Sequence, residues 1–226
     1  MNEKTDTFNG PVGAWGSGVE SPAERMEKSN PHRWISLDEL AHRETDYKLW
    51  TDKRSGDGMG YLPIYEKYFS PLRDQSIHLL EVGVNMGASI LVWLEYFQNG
   101  KISGVDIEPR TRPTHERYSF RQGDQMDKNF WKSFVENNPK LDIIIDDGGH
   151  TSGQIETTFW SLWPHLKPGG YYCIEDLGAC YNKDCLTPGF GNHLEFIQLL
   201  QHRINMSRGD METIHFYREL AIIRKK

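Results

Sequence analysis

The sequence predicts an α/β fold: a mostly parallel sheet of seven strands with an antiparallel hairpin at its C-terminal end. Three observations predict it. From residue 77 onward, short continuous apolar runs alternate with helix-like segments, the pattern of parallel strands covered on both faces. Two of those runs end in acidic pairs, Asp146-Asp147 and Glu175-Asp176, and His150 follows the first pair closely. The C-terminal segment TIHFYRELAIIRKK holds two apolar runs around the polar pair Arg218-Glu219, which reads as a hairpin at the sheet edge.

Residues 1–35 are rich in Gly, Ser, Pro and charge, with no apolar period, and are expected to form a flexible N-terminal arm. Residues 36–75 are expected to form a helical, lid-like segment. Ser36 and Glu39 fit a capping box, so a helix starts there. The stretch TDKRSGDGMGY, 51–61, is a Gly-rich loop. Pro63 then suits the first position of a helix carrying Ile64, Tyr65, Tyr68 and Phe69. The sheet domain covers 76–226. Its strands are expected at IHLLEV (77–82), KISGVDI (101–107), YSFRQ (118–122), LDIII (141–145) and GYYCIE (170–175). Helices are expected at 88–97, at 126–137 with Phe130, Trp131 and Phe134 on one side, at 152–165 and at 193–206.

Composition narrows the function classes. A net charge of −6 over 226 residues argues against a broad electrostatic footprint for nucleic acid. No apolar run approaches the roughly 20 residues of a membrane span. The stretch MNEKTDTFNGPVGAWGSG lacks the apolar core of a signal peptide. The three cysteines, Cys173, Cys180 and Cys185, have no framework spacing. The expectation is a cytoplasmic protein without a nucleic-acid or membrane partner.

The first strand runs into Glu81-Val82-Gly83-Val84-Asn85-Met86-Gly87-Ala88-Ser89. Gly83 and Gly87 permit a tight strand-to-helix turn and close approach of a ligand. The helix start offers free N–H groups, and Ser89 a hydroxyl, to an anionic phosphate or carboxylate. The spacing is G-x-x-x-G, not the dinucleotide G-x-G-x-x-G, and no P-loop lysine is present. Asp106 ends the second strand about 20 residues past the turn, where an acid accepts hydrogen bonds from ribose hydroxyls. NAD and S-adenosylmethionine both carry such a ribose. Asp124 and Gln125 follow the third strand, at the expected edge of an adenine pocket. Asp124 there either bonds the adenine amino group or makes an ordinary Asx turn.

HLLEVGVNMGAS and GVDI resemble the first two motifs of the class I S-adenosylmethionine-dependent methyltransferases. LDIIIDDGGH, PHLKPGGYYCIED and the terminal hairpin stand in the places that family gives them. The closer likeness is to the metal-dependent sugar O-methyltransferases of macrolide biosynthesis, of the mycinamicin and tylosin type. It covers roughly residues 48–224, including TDKRSGDGMGYLPIYEKYFSPLR ahead of the sheet. The resemblance implies a Rossmann-like class I methyltransferase fold, with S-adenosyl-L-methionine and Mg²⁺ as cofactors. Carried onto this chain, it puts the metal on Asp147, Glu175 and Asp176 and makes His150 the general base. The cofactor set is then Glu81, Gly83, Asn85, Gly87, Ser89, Asp106, Asp124, Gln125 and Asp146. The implied acceptor is a glycosylated small molecule, and the implied assembly a homo-oligomer. Gly149 departs from the serine usual in the sugar enzymes. The catechol enzymes are similar in plan, with a lysine at the base position and an amide for one acid.

Plainer roles exist for each group. Asp146 to Gly149 would make a capped turn, Glu175-Asp176 a solvated strand end, and His150 a helix cap. The two acidic ends meet at one sheet edge only in this fold, which favours a site. His193 lies past the fifth strand within possible reach of substrate. Tyr181 and Phe190 are candidates for acceptor contact. Trp160, Trp163, Tyr171 and Tyr172 read as core or interface. A nicotinamide-dependent oxidoreductase would share the glycine turn and ribose acid, but a third glycine and a Tyr-x-x-x-Lys pair are missing. A non-catalytic cofactor-binding module is at odds with the intact acid–histidine set. A catechol or amine acceptor stays open, and an amine needs no metal.

Overall fold

A computed structural model describes residues 35–43, 50–109, 113–206 and 209–226. The chain divides into two units, Met1–Ile35 and Ser36–Lys226. Residues 1–34 of the expected arm, 1–35, lie outside the described residues, and the fold below is that of the second unit.

Thirteen α-helices and strands follow one another along the described chain: α1 Leu37–His42, α2 Leu62–Phe69, β1 His78–Val82, α3 Ala88–Tyr96, β2 Lys101–Asp106, β3 Tyr118–Gln122, α4 Lys128–Glu136, β4 Leu141–Asp146, α5 Ser152–Leu162, β5 Leu166–Ile174, α6 His193–Asn205, β6 Met211–Tyr217 and β7 Leu220–Lys225. The strands form one seven-stranded sheet in the order β3-β2-β1-β4-β5-β7-β6. Strands β1 to β5 pair in parallel, and β7 runs antiparallel to both β5 and β6. The α/β architecture, the mostly parallel sheet and the C-terminal hairpin are those the sequence predicts.

Register sets the working edge. Val105, Val82, Asp146 and Ile174 form one row across β2, β1, β4 and β5. The next residue of each strand is Asp106, Gly83, Asp147 or Glu175. The carboxyl ends of four strands therefore deliver three acids and the glycine turn to one edge, where open α/β sheets bind ligands.

Both faces of the sheet are covered. On one, Phe159, Trp163 and Phe196 pack with Trp131, Phe134 and the strand residues Leu80, Ile144 and Tyr172. On the other, Tyr65 and Phe69 of α2 stack at 4.9 Å, and both meet Trp93 of α3 edge-on. Offset and edge-to-face ring pairs of this kind stabilise a core beyond their buried area.

Local differences from the sequence reading have local causes. The Ser36–Glu39 capping box forms, but Pro63 is the second residue of α2, which starts at Leu62. Helix α4 starts two residues later than expected because Asp127 caps it through the N–H of Asn129. The segment expected as one helix over 152–165 ends at Leu162 and tightens into a 3₁₀ turn, Trp163–His165, at Pro164. Strand β5 begins at Leu166, not residue 170, because Leu166 pairs with Leu141 ahead of an irregularity on the β5 side of the β4–β5 pairing. Lys167 to Gly170 keep their turn character as the irregular stretch between the Leu141–Leu166 and Ile143–Tyr171 pairs, where Gly169 takes φ 78°. Among the described residues no helix is long and apolar enough to cross a membrane.

Candidate active site

A cavity of about 350 Å³ opens at the carboxyl edge of the sheet. Its walls include Gly83 and Asn85 after β1, Asp106 at the end of β2, Asp124 and Gln125 after β3, and Asp147, His150 and Asp176 after β4 and β5. That volume lies in the range of ordinary small-molecule sites.

Backbone strain gathers at this cavity. Asn85, His150 and Asp176 line it with φ of 49°, 55° and 54°. Non-glycine residues in the left-handed region cost free energy and cluster where function over-determines the backbone. Gly83 answers a different need. A Cβ there would lie 1.8 Å from the carbonyl oxygen of Asp147, so the turn after β1 packs directly on the β4 end.

The turn after β1 is organised by Glu81. Its carboxylate is fully buried and accepts from the Ser89 hydroxyl at 2.8 Å and from Trp93 Nε1 at 2.8 Å. Ser89 therefore donates to Glu81, and neither side chain reaches the cavity wall. Gly87 caps α3 at φ 84° against Pro113 and also stands off the cavity. Asp106 accepts the N–H of Asn85 at 2.8 Å and the N–H of Glu108 at 2.9 Å, which fixes its carboxylate at the cavity mouth. Asp124 makes the Asx turn to Met126 N–H at 2.8 Å and lines the cavity as well. Gln125 accepts from Gly149 N–H at 2.7 Å and donates to Thr158 at 3.1 Å. Asp146 is buried beneath the wall, where Tyr172 donates to it at 3.1 Å. Burial pushes the Asp146 carboxyl up to about 7.

Of the four groups expected at the reacting centre, three converge. One ligand atom each of Asp147, His150 and Asp176 lies within 4.8 Å of the others. His150 Nε2 is 3.4 Å from Asp176 Oδ2. Tyr61 donates to the other oxygen of Asp176 at 2.8 Å. Two carboxylates and an imidazole at this separation are a donor set that fits a divalent cation, with the hard oxygens suited to Mg²⁺. Glu175, also expected as a ligand, is not in that group. It is buried, with Oε1 accepting from Tyr65 at 2.7 Å and Oε2 from Lys53 at 2.7 Å.

Lys53 is the residue that sequence reasoning missed. Its side chain is 1% exposed and its ammonium touches Asp147, Glu175 at 2.7 Å and Glu81 at 3.5 Å. Burial pushes an ammonium down, but here Asp147, Glu175 and Glu81 outweigh it and hold the pKa well above the usual value. Burial likewise pushes the Glu81, Asp147 and Glu175 carboxyls up, and Lys53 draws each back. His193 does not line the cavity: it is buried, and its Nε2–H donates to the backbone carbonyl of His150 at 2.8 Å. Burial lowers its pKa. Tyr181 and Phe190 do not line the cavity, and Tyr181 is 81% exposed.

Residues 80–177 match the model of a family described as a methyltransferase domain. Over 138 residues the chain is 37% identical to the 8-demethyl-8-(2-methoxy-alpha-L-rhamnosyl)-tetracenomycin-C 3'-O-methyltransferase of Streptomyces olivaceus, covering 58% of this chain and 34% of that one. Over 195 residues it is 30% identical to the mycinamicin VI 2''-O-methyltransferase of Micromonospora griseorubida, covering 73% of this chain and 48% of that one. The chain thus spans half or less of the length of these curated relatives. The solved structure of the MycE methyltransferase from the mycinamycin biosynthetic pathway, in complex with Mg, SAH and mycinamycin VI, superposes with a TM-score of 0.71. The two are 28% identical, over 84% of this chain and 54% of that chain.

Proposed function

Residues 80–177 form a methyltransferase domain, and from this premise we propose that the chain is an S-adenosylmethionine- and Mg²⁺-dependent O-methyltransferase acting on a sugar hydroxyl of a glycosylated small molecule. The observation that carries the reading is the meeting of Asp147, His150 and Asp176 beside a cavity walled by Gly83, Asn85 and Asp106. The named relatives support the sugar acceptor, since they methylate rhamnosyl-tetracenomycin and mycinamicin VI. The MycE complex, with its Mg and SAH, supports the cofactor pair.

S-adenosylmethionine supplies an electrophilic methyl group, and a divalent ion eases the build-up of charge on an acceptor oxygen. Asp147 and Asp176 are the residues that would hold the ion. Glu175 is the third, buried acid tied to Asp147 through Lys53. Asp106 would accept from the cofactor ribose, with Gly83 letting the cofactor approach the backbone closely. Asp124 and Gln125 would border the adenine. His150 Nε2, at the cavity wall 3.4 Å from Asp176 Oδ2, takes the proton of the acceptor hydroxyl, since histidine is the side chain most often placed to move a proton to or from a reacting group. A nitrogen ligating a metal could not also receive that proton, so His150 is assigned the proton and not the ion. The walls of the cavity hold the two reactants in line, which is where much of the remaining acceleration comes from. The reading also assigns the chain to the cytoplasm, a reducing compartment suited to its three free cysteines.

The test is transfer of labelled methyl from S-adenosylmethionine to rhamnosylated polyketides, with Mg²⁺ or with EDTA. The reading expects labelled product with Mg²⁺ and none with EDTA. Transfer undiminished by EDTA would remove the metal and point to an amine or another acceptor.

A further inference from the structure

We propose that Lys53 is a positioning residue: it ties Asp147 and Glu175 to one point so that Asp147 keeps an oxygen turned toward His150 and Asp176. The inference rests on the metal-binding reading above and adds a residue outside the matched domain, which begins at residue 80. Lys53 comes from the Gly-rich loop ahead of the sheet. The loop fixes it at both sides, with Lys53 N–H donating to Thr51 Oγ1 at 3.3 Å and Leu62 N–H donating to the Lys53 carbonyl at 2.9 Å.

The ammonium has three hydrogens. It faces three carboxylates from three neighbouring strands: Glu81 in β1, Asp147 after β4 and Glu175 after β5. On Asp147 it takes Oδ2, which leaves Oδ1 free of it. On Glu175 it takes Oε2, while Tyr65 takes Oε1. Without the ammonium, three like charges around one point, two of them buried, repel, and Asp147 can turn away. Tyr61, from the same segment, does the corresponding work on Asp176. Ligand-bearing carboxylates held by a partner behind them are a general device for orienting a metal site. The charge of Lys53 alone would oppose a divalent cation. The proposal is that orientation outweighs this repulsion.

That claim fixes the sign of the test. Mn²⁺ alone is titrated into the full chain without cofactor, and free ion is read by electron paramagnetic resonance. The proteins are wild type, Lys53→Met, and Lys167→Met as a control. Lys167 pairs with Asp142 at the opposite edge of the sheet. Lys53→Met should bind Mn²⁺ about ten- to a hundredfold more weakly, with Lys167→Met like wild type. Circular dichroism at the titration temperature checks that each protein is folded. Unchanged or tighter Mn²⁺ binding by folded Lys53→Met overturns the proposal and leaves the metal-site reading standing. No Mn²⁺ binding by wild type overturns both. If Lys53→Met does not fold, Lys53→Arg is measured instead. Arg keeps the charge but cannot place it at the same point, so weaker binding supports the proposal and wild-type affinity overturns it.

Discussion

His150 and Asp176 sit in left-handed backbone, and each is held there by a specific contact. His193 grips the carbonyl of His150, and Tyr61 the carboxylate of Asp176. Two predictions belong to these residues. His150→Ala should lower turnover by about 10²–10⁴-fold, the usual worth of a general base, with the affinity for S-adenosylhomocysteine nearly unchanged by calorimetry. Preserved turnover would assign the proton elsewhere. His193→Phe removes the donor to His150 and should lower kcat by up to about 100-fold, the scale of a misplaced reacting group. His193→Gln, which can still donate, should recover much of it. Equal losses in both variants would reduce His193 to a packing role. Asp147, His150 and Asp176 were legible in the sequence because strand ends in this fold converge. Lys53 was not, because a lysine in a Gly-rich loop looks like a solvated charge until the loop folds back over the strand ends. Nor was the placement of Glu81 and Ser89, since local spacing does not say that one will consume the other's hydrogen bond.

At the scale of elements, strands and helices were legible where the apolar period was continuous, and ends were not where caps or pairing decided them. Asp127 moved the start of α4, and pairing with Leu141 drew Leu166 into β5. The turn after β1 is the least tolerant element. Gly83→Ala would add a Cβ to a residue at φ 86° against the Asp147 carbonyl, and should destabilise the fold by about 2–4 kcal/mol. Urea unfolding reads this, and a loss below about 1 kcal/mol would mean that the turn can move away. Strand β1 also carries a pH signal. His78 is buried with Nε2 on Ser103 at 2.8 Å and Nδ1 without a partner among the described residues. Burial lowers its pKa from 6.5 to about 4. The unfolded chain therefore binds the extra proton between those values, so this contribution to stability is full above pH 6.5 and is lost as pH falls toward 4. Comparing His78→Phe with wild type should remove up to about 1.4 kcal/mol per pH unit of slope in that window. Identical slopes would show that His78 charges freely in the fold. Asp146, raised to about 7, slopes the opposite way, which is why the difference between the two proteins is the quantity to read.

For the molecule as a whole, the segment ahead of the sheet is part of the site. Residues 50–69 place Lys53, Tyr61 and Tyr65 on the acids at the ends of β4 and β5. The sheet supplies Asp147, Glu175 and Asp176, and the preceding segment holds them. A ligand that binds only the folded chain stabilises it by about 2.7 kcal/mol at a hundredfold its Kd, so S-adenosylhomocysteine should raise the melting temperature by several degrees. The central claim is that the cavity takes S-adenosylmethionine and not a nicotinamide dinucleotide. Calorimetric titration of S-adenosylmethionine and of NAD⁺ into wild type and Asp106→Ala tests it most directly. The account predicts saturable binding of S-adenosylmethionine, weakened in Asp106→Ala, and no heat from NAD⁺. Binding of NAD⁺ alone would contradict it.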